Sequence, residues 1–215
     1  MKLYNWQFAP NCRRVRMFIL EKGLPLPEMP EVVVLAETLK VDPGFVTKWP
    51  PAMVPLLELD DGTRISEALA IVRYLEDTHP QSNLLGASPL EAARVMMWER
   101  PAYDECIVGT AEVVRNGMEV FHDRGLPGVP NEPVPQIPAL IERGKGRVRR
   151  YYNRIEKQLA ANTFMAGDRF TFADITNLCA IDFAIFAGMP IPDDCPSVKR
   201  WHAEVSARPA ATASA

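Results

Sequence analysis

The chain has 215 residues, enough for one large domain or two small ones with a real core. Its net charge is -3, so no global field recruits nucleic acid or acidic membranes, and no apolar run approaches the roughly 20 residues that span a bilayer. Cys12, Cys106, Cys179 and Cys195 lie far apart with no C-x-x-C, and His79, His122 and His202 are equally scattered, which predicts reduced thiols, a cytoplasmic setting and no metal site.

Residues 2–8 read as a short strand. Asn11 can then cap a helix whose apolar positions Val15, Phe18 and Ile19 share one face, with Gly23 at its end. "EMPEVVVL" (28–35) is a β-branched strand that Pro30 pushes toward an edge or a bend. Residues 36–53 carry three prolines and read as irregular. "VPLLEL" (54–59), the turn "DDG" and "TRI" (63–65) form a hairpin. Ser66 then caps a helix with Ala68, Ile71, Val72 and Leu75 on one face. The order is βαβ, an irregular segment, then ββα.

The turn-rich stretch 79–88 reads as a linker between a domain at 1–78 and a second at 89–215, where no strand pattern recurs. Residues 90–115 read as one helical stretch bent at Pro101. Residues 125–138 are a proline-rich loop, and 139–160 a second long helix with a basic, solvated face. "TFAD" (171–174) is a capping box ahead of an all-round apolar, buried helix. Asp174 is therefore structural. Trp98 and Trp201 read as core. A last helix, "SVKRWHAEVSA", leads to a small-residue tail expected to fray.

Three stretches carry chemistry together. The helix opening at "APNCRR" offers free backbone N–H groups and a positive dipole end, which lower a thiol's pKa. Val54-Pro55, after a loop and at a strand start, is a place where a cis peptide is tolerated. A cis bond there leaves the Val54 N–H and C=O free to pair with an extended peptide. Glu67, at a helix N-terminus, can hold an ammonium while the helix end holds a carboxylate. A γ-glutamyl group carries that pair of charges.

"LY…APN…RVR…LEKG", "VPLLELDDG", "ISEALAIVRYLE" and "GDRFTFADIT" follow in order over nearly the whole chain, and in this the sequence resembles the glutathione transferase family, near its bacterial theta and nu-like groups. The resemblance implies an α/β thioredoxin-like N-terminal domain and an all-α C-terminal helical bundle. It also implies glutathione as cosubstrate without a metal, a homodimer, and a role in detoxification. It assigns glutathione binding to Lys40, Val54, Pro55, Glu67 and Ala68, and an apolar acceptor pocket to Phe8, Met97 and Tyr103.

Departures from the family pattern matter. Where relatives carry Ser, Thr or Cys after the first strand, this chain has Ala9. Set against the glutaredoxin Cys-Pro-x-Cys, its Ala-Pro-Asn-Cys leaves Cys12 at the resolving position with no nucleophile. Ala68 replaces a frequent serine, and the loop before Val54 reads Trp49-Pro50-Pro51-Ala52-Met53. Asn11 matches an asparagine that nu-like and phi-like relatives carry. One amide donor to a thiolate contributes about 1.5–3 kcal/mol, or about 1–2 pKa units. Tyr4 is a lesser option as donor. The leading expectation is conjugation of glutathione to an electrophile. Glutathione-dependent disulfide or peroxide reduction, and a non-catalytic binding module, stand as alternatives.

Overall fold

The computed structural model describes residues 1–34 and 40–215, and the side chains of Val33, Val34 and Lys40 lie outside that description. Strand β1 (Lys2–Tyr4) leads into helix α1 (Pro10–Glu21), which buries Val15, Phe18 and Ile19 as their spacing predicts. The helix starts one residue before the expected cap. Pro10 holds its first position, where a fixed φ and a missing N–H cost nothing. Ala9 is the N-cap, without a side-chain bond, and Asn11 falls inside the first turn. At the far end Gly23, at φ +67°, closes the helix with bonds from its own N–H to the Leu20 carbonyl and from the Leu24 N–H to Ile19.

The next strand runs parallel to β1 through bonds from Leu3 N to Glu28 O, Asn5 N to Pro30 O, and Val32 N to Asn5 O. Pro30 has no N–H to give a further neighbour, which suits an edge. Its continuation β2 (Val33–Val34) pairs antiparallel with β3 (Lys40–Val41). The segment expected to be irregular holds a short helix, α2 (Pro43–Lys48), because Asp42 caps it by accepting from the Phe45 N–H at 2.8 Å. Strand β4 (Leu56–Glu58) is the middle of an antiparallel sheet ordered β1-β4-β5, with β5 at Arg64–Ser66. In register, Leu57 faces Leu3 on one side and Ile65 on the other. Helix α3 (Ala68–Thr78) follows. Ser66 does not cap it: Ser66 ends the strand, and Glu67 takes the N-cap position at φ +67°.

The second half is helical. Helix α4 (Pro89–Pro101) passes through a π-helical turn, Ala102–Ile107, into α5 (Val108–Gly117). Pro101 has no N–H to continue the regular ladder, so the extra residue is absorbed there. Helix α6 (Ala139–Ala161) packs closely on α5. A Cβ on Gly144 would come within 2.9 Å of the Val113 side chain. The basic face of α6 is spent on ion pairs: Arg143 and Arg147 to Glu112, Arg149 to Asp194, and Arg154 to Glu105. Helix α7 (Phe172–Phe186) runs through the core behind the expected capping box, and α8 (Pro196–Ser206) brings Trp201 against it. Trp98 is only half-buried, with the Arg154 guanidinium 5.4 Å over its ring. The tail does not fray. It forms α9 (Pro209–Ala213), which is held on α1 by Arg16 donating to the Ser214 carbonyl at 2.8 Å. Among the described residues no helix is long and apolar enough to cross a membrane.

One core joins the two halves. Val15, Met17 and Phe18 of α1 meet Phe172, Ile175 and Leu178 of α7, with Phe18 and Phe172 edge to face at 5.8 Å. That joint fixes the start of α1 relative to the helical half, which matters for the site.

Candidate functional site

A groove of about 180 Å³ opens between the start of α1 and the start of α3. It is lined by Asn11, Trp49, Pro51, Met53, Val54, Pro55, Ser66, Glu67 and Ala68. Five of the residues singled out from sequence thus share one wall system: Asn11, Val54, Pro55, Glu67 and Ala68. Lys40 lies outside the described residues so far as its side chain is concerned; its backbone pairs with Val34. Phe8, Met97 and Tyr103 do not line this groove. Phe8 and Met97 are exposed at 63% and 54%, and Tyr103 sits half-buried between the Arg14 and Arg100 guanidinium groups. Tyr4 is turned away: its hydroxyl lies between Lys48 and Glu58 on the other side of the sheet.

Local structure explains each wall. The Val54-Pro55 peptide is cis. The β4 ladder begins only at Leu56, so the Val54 N–H and C=O have no backbone partner among the described residues. Glu67 adopts a left-handed φ that a residue with a Cβ rarely takes, and strain of this kind collects at functional sites. No side chain caps α3. Its first helical bond runs from Ile71 N to the Glu67 carbonyl, which leaves the N–H groups of the first turn without intrahelical acceptors. Ser66, expected to be the cap, instead presents itself to the groove. Trp49, Pro51 and Met53, from the loop before Val54 whose sequence departs from the family pattern, also line the groove, though a proline-rich stretch gives no period from which to read their orientation.

Asn11 is oriented by a buried cation. Arg14, 2% exposed, donates from Nη1 to Asn11 Oδ1 at 2.9 Å, from Nε to Thr176 Oγ1 at 3.1 Å, and from Nη2 to Glu99. A guanidinium can only donate. The amide oxygen of Asn11 must therefore face Arg14, and its NH₂ is the end left for the groove. Burial works against both charges of the Arg14–Glu99 pair, pulling Arg14 down and pushing Glu99 up, and each is the other's counter-ion. Cys12, next in sequence, is fully buried and burial pushes its thiol up to about 12, so it is no nucleophile at neutral pH. Cys106, at about 12, and Cys179, at about 11, are raised for the same reason.

A second feature flanks the groove. Trp6, Val114, Val120, Phe121, Phe183 and Ala187 form a separate apolar cluster, and Phe8 stands edge-on to Trp6 at 6.2 Å. The loop after α5 reaches from this cluster to the groove wall. Gly128 (φ +80°) approaches so closely that a Cβ there would lie 3.0 Å from the Met53 sulfur. Sequence reasoning did not anticipate this cluster, whose members besides Trp6 come from residues 114, 120–121 and 183–187.

Comparison with known proteins places these features in context. Residues 3–83 match the family profile "Glutathione S-transferase, N-terminal domain", and residues 122–209 match "Glutathione S-transferase, C-terminal domain". A glutathione S-transferase domain-containing protein of Marinobacter aquaeolei is 33% identical, covers 98% of this chain and 100% of its own, and superposes with a TM-score of 0.82. A glutathione S-transferase of class Gtt2 from Vibrio parahaemolyticus is 31% identical, with coverage of 100% and 96% and a TM-score of 0.81. Glutathione S-transferase 2 of Saccharomyces cerevisiae is 27% identical over 97% of this chain and 87% of the yeast protein.

Proposed function

Because this chain belongs to the glutathione S-transferase family, with its thioredoxin-like N-terminal and all-helical C-terminal halves, we propose that it binds glutathione in the groove beside Asn11 and conjugates it to an electrophilic small molecule. The observation that carries this reading is the fixed amide of Asn11: Arg14 takes its oxygen and leaves its NH₂ as a donor at the positive end of α1. The cysteine sulfur of glutathione would lie against that donor as thiolate. Its proton goes to solvent on binding. The sulfur lone pair then forms a carbon–sulfur bond to the electrophile, and the leaving group departs with its bonding pair. No protein cysteine takes part.

Other walls suit the rest of the tripeptide. The Val54 N–H and C=O pair with its extended backbone as an added strand would. The open start of α3 and Ser66 receive the γ-glutamyl carboxylate, and Glu67 receives the ammonium. Lys40 is the candidate for the glycine carboxylate. Ala68 supplies only its backbone N–H, where a serine in its place would add a hydroxyl. We further propose domain limits of 1–78 and 89–215 about a linker at 79–88, a homodimer, a cytoplasmic setting that suits the free buried cysteines, and a detoxifying role.

Ala9 favours a second reading, a binding module without turnover, since no hydroxyl stands where relatives are expected to carry one. One experiment separates them. Glutathione is titrated by calorimetry while thiolate absorbance is followed at neutral pH. Binding with a thiolate band supports the enzyme. Binding without the band supports the module, and no binding, with Glu67→Ala indistinguishable from wild type, ends both.

A further inference from the structure

Two arginines, at the end of α5 and on the loop that reaches the groove wall at Gly128, stand apart from the other buried or half-buried ones. Arg13, Arg14, Arg147, Arg169 and Arg208 each hold a carboxylate, and Arg16 is satisfied by the oxygens of Asn5, Gln7 and Ser214. Arg115 and Arg124 are half-buried and have no ion pair among the described residues. Arg115 lies 5.0 Å over the Phe121 ring and donates from Nη1 to the Arg124 carbonyl at 2.9 Å. The Arg124 guanidinium makes no bond to the described residues. Burial, then the charge of Arg124, pulls Arg115 down to about 10, and burial lowers Arg124 as well. The neighbouring acid Asp123 is turned to solvent beside His122, 3.3 Å away, and Glu119 is exposed. Two like charges held together, partly desolvated and without a counter-ion, are an arrangement that folding alone does not favour.

Their surroundings are aromatic and rich in donors. Phe121 belongs to the cluster with Trp6, Phe183 and Val114. The Trp6 indole N–H is buried without a partner. In the chain, Arg124 stands between Phe121, in that cluster, and Gly128, against Met53 of the groove wall. The turn from Trp6 to Ala9, closed by a bond from Ala9 N to Trp6 O at 3.0 Å, joins the cluster to Asn11 on the other side. A chain of contacts thus runs from the start of α1 through Trp6 and Phe121 to Arg115, and from Arg115 to the backbone of Arg124.

Building on the transferase reading, we propose that the electrophile taken by this protein carries an anionic group on an aromatic or similarly flat apolar body, and that Arg115 and Arg124 hold that anion. The apolar body packs against Trp6, the half-buried aromatic of the cluster, and the carboxylate, or an anion of like geometry, supplies the counter-charge the pair lacks. Arg124 determines this specificity most directly, because its guanidinium has no other work, while Arg115 also holds the loop.

The test compares a chloro-dinitrobenzoate with its methyl ester as acceptors, each rate divided by the uncatalysed rate with free glutathione. A charge-assisted pair predicts a preference in kcat/KM of about 10–100-fold for the acid over the ester. Arg124→Gln, which removes no bond within the protein, lowers that ratio by about 10-fold or more on the same grounds. A wild-type ratio near unity, or a ratio that Arg124→Gln leaves unchanged, overturns the proposal. A second measurement stands apart from catalysis: calorimetric titration with unreactive dinitrobenzoate in the presence of glutathione. If neither acceptor turns over, the transferase reading fails. The anion site then stands if dinitrobenzoate binds and Arg124→Gln abolishes the binding, and falls if dinitrobenzoate does not bind.

Discussion

The starts of α7 and α3 show one kind of local structure put to opposite uses. At α7 the opening turn is closed by the protein itself, with Phe172 N bonded to Leu84 O and Asp174 N to Thr171 O. Thr171 and Asp174 form the capping box, and Asp174 also accepts from Met165 N at 2.8 Å and from the Trp201 indole at 2.9 Å. At α3 nothing is closed. Glu67 occupies the N-cap at a strained φ, its side chain caps nothing, and the turn faces a groove. The start of α1 resembles α3: Ala9 gives no side-chain cap, and Asn11 is turned by Arg14 so that its donor points outward. A helix end satisfied by its own side chains is architecture. One left open beside a cavity is available to a ligand.

Mutation can break this contrast, and the largest effect belongs to α7. Asp174→Ala leaves four buried donors without this acceptor and is expected to cost about 3 kcal/mol or more, read from urea denaturation. The same carboxyl gives a pH signature. Burial pushes it up to about 6, from 3.8, against the four donors that point at it. The folded protein therefore holds this proton where the unfolded chain has released it. Its contribution is fully present below pH 3.8 and is lost as pH rises through about 6. The loss is on the order of 1–3 kcal/mol, and the measurement is the denaturation midpoint followed from pH 4 upward. A flat profile would sink the assignment.

At α3 the sign reverses. Glu67→Gly removes the carboxylate and allows the left-handed φ without a Cβ, so stability rises by up to about 1 kcal/mol. Glutathione affinity meanwhile falls by about 10–100-fold. Thermal melting and calorimetry on one preparation read both, and a variant that loses stability and affinity together would place Glu67 with Asp174 as architecture. The smallest effect belongs to α1. Asn11→Ala is expected to raise the pKa of bound glutathione's thiol by about 1–2 units with little loss of tripeptide affinity. An unchanged thiolate titration would remove Asn11 from the chemistry.

Local signals in the sequence were read well where one mechanism governs. The capping box at Thr171, the helix stop at Gly23, the edge strand at Pro30 and the apolar stripe of α1 each rest on a single rule of backbone geometry or period. Misreadings arose where two rules compete for one residue. Asn11 and Ser66 have good capping side chains, yet Pro10 claims the first position of α1 and the register of β5 with β4 claims Ser66. The small residues after Arg208 read as a loose tail, yet Arg16 and the surface of α1 hold them in a helix.

What the sequence determined by itself was most of the order of elements and the two-part architecture, because these depend on neighbours a few residues apart. What only the tertiary structure decided was direction. The side on which Asn11 shows its amide hydrogens depends on Arg14, Glu99 and Thr176, and the surroundings of Trp6 depend on Phe121 and Phe183. Arg14 and Thr176 are 162 residues apart in the chain, and Trp6 and Phe183 lie farther apart still. Only the shared core of α1 and α7 brings them together, and no local period records such a meeting.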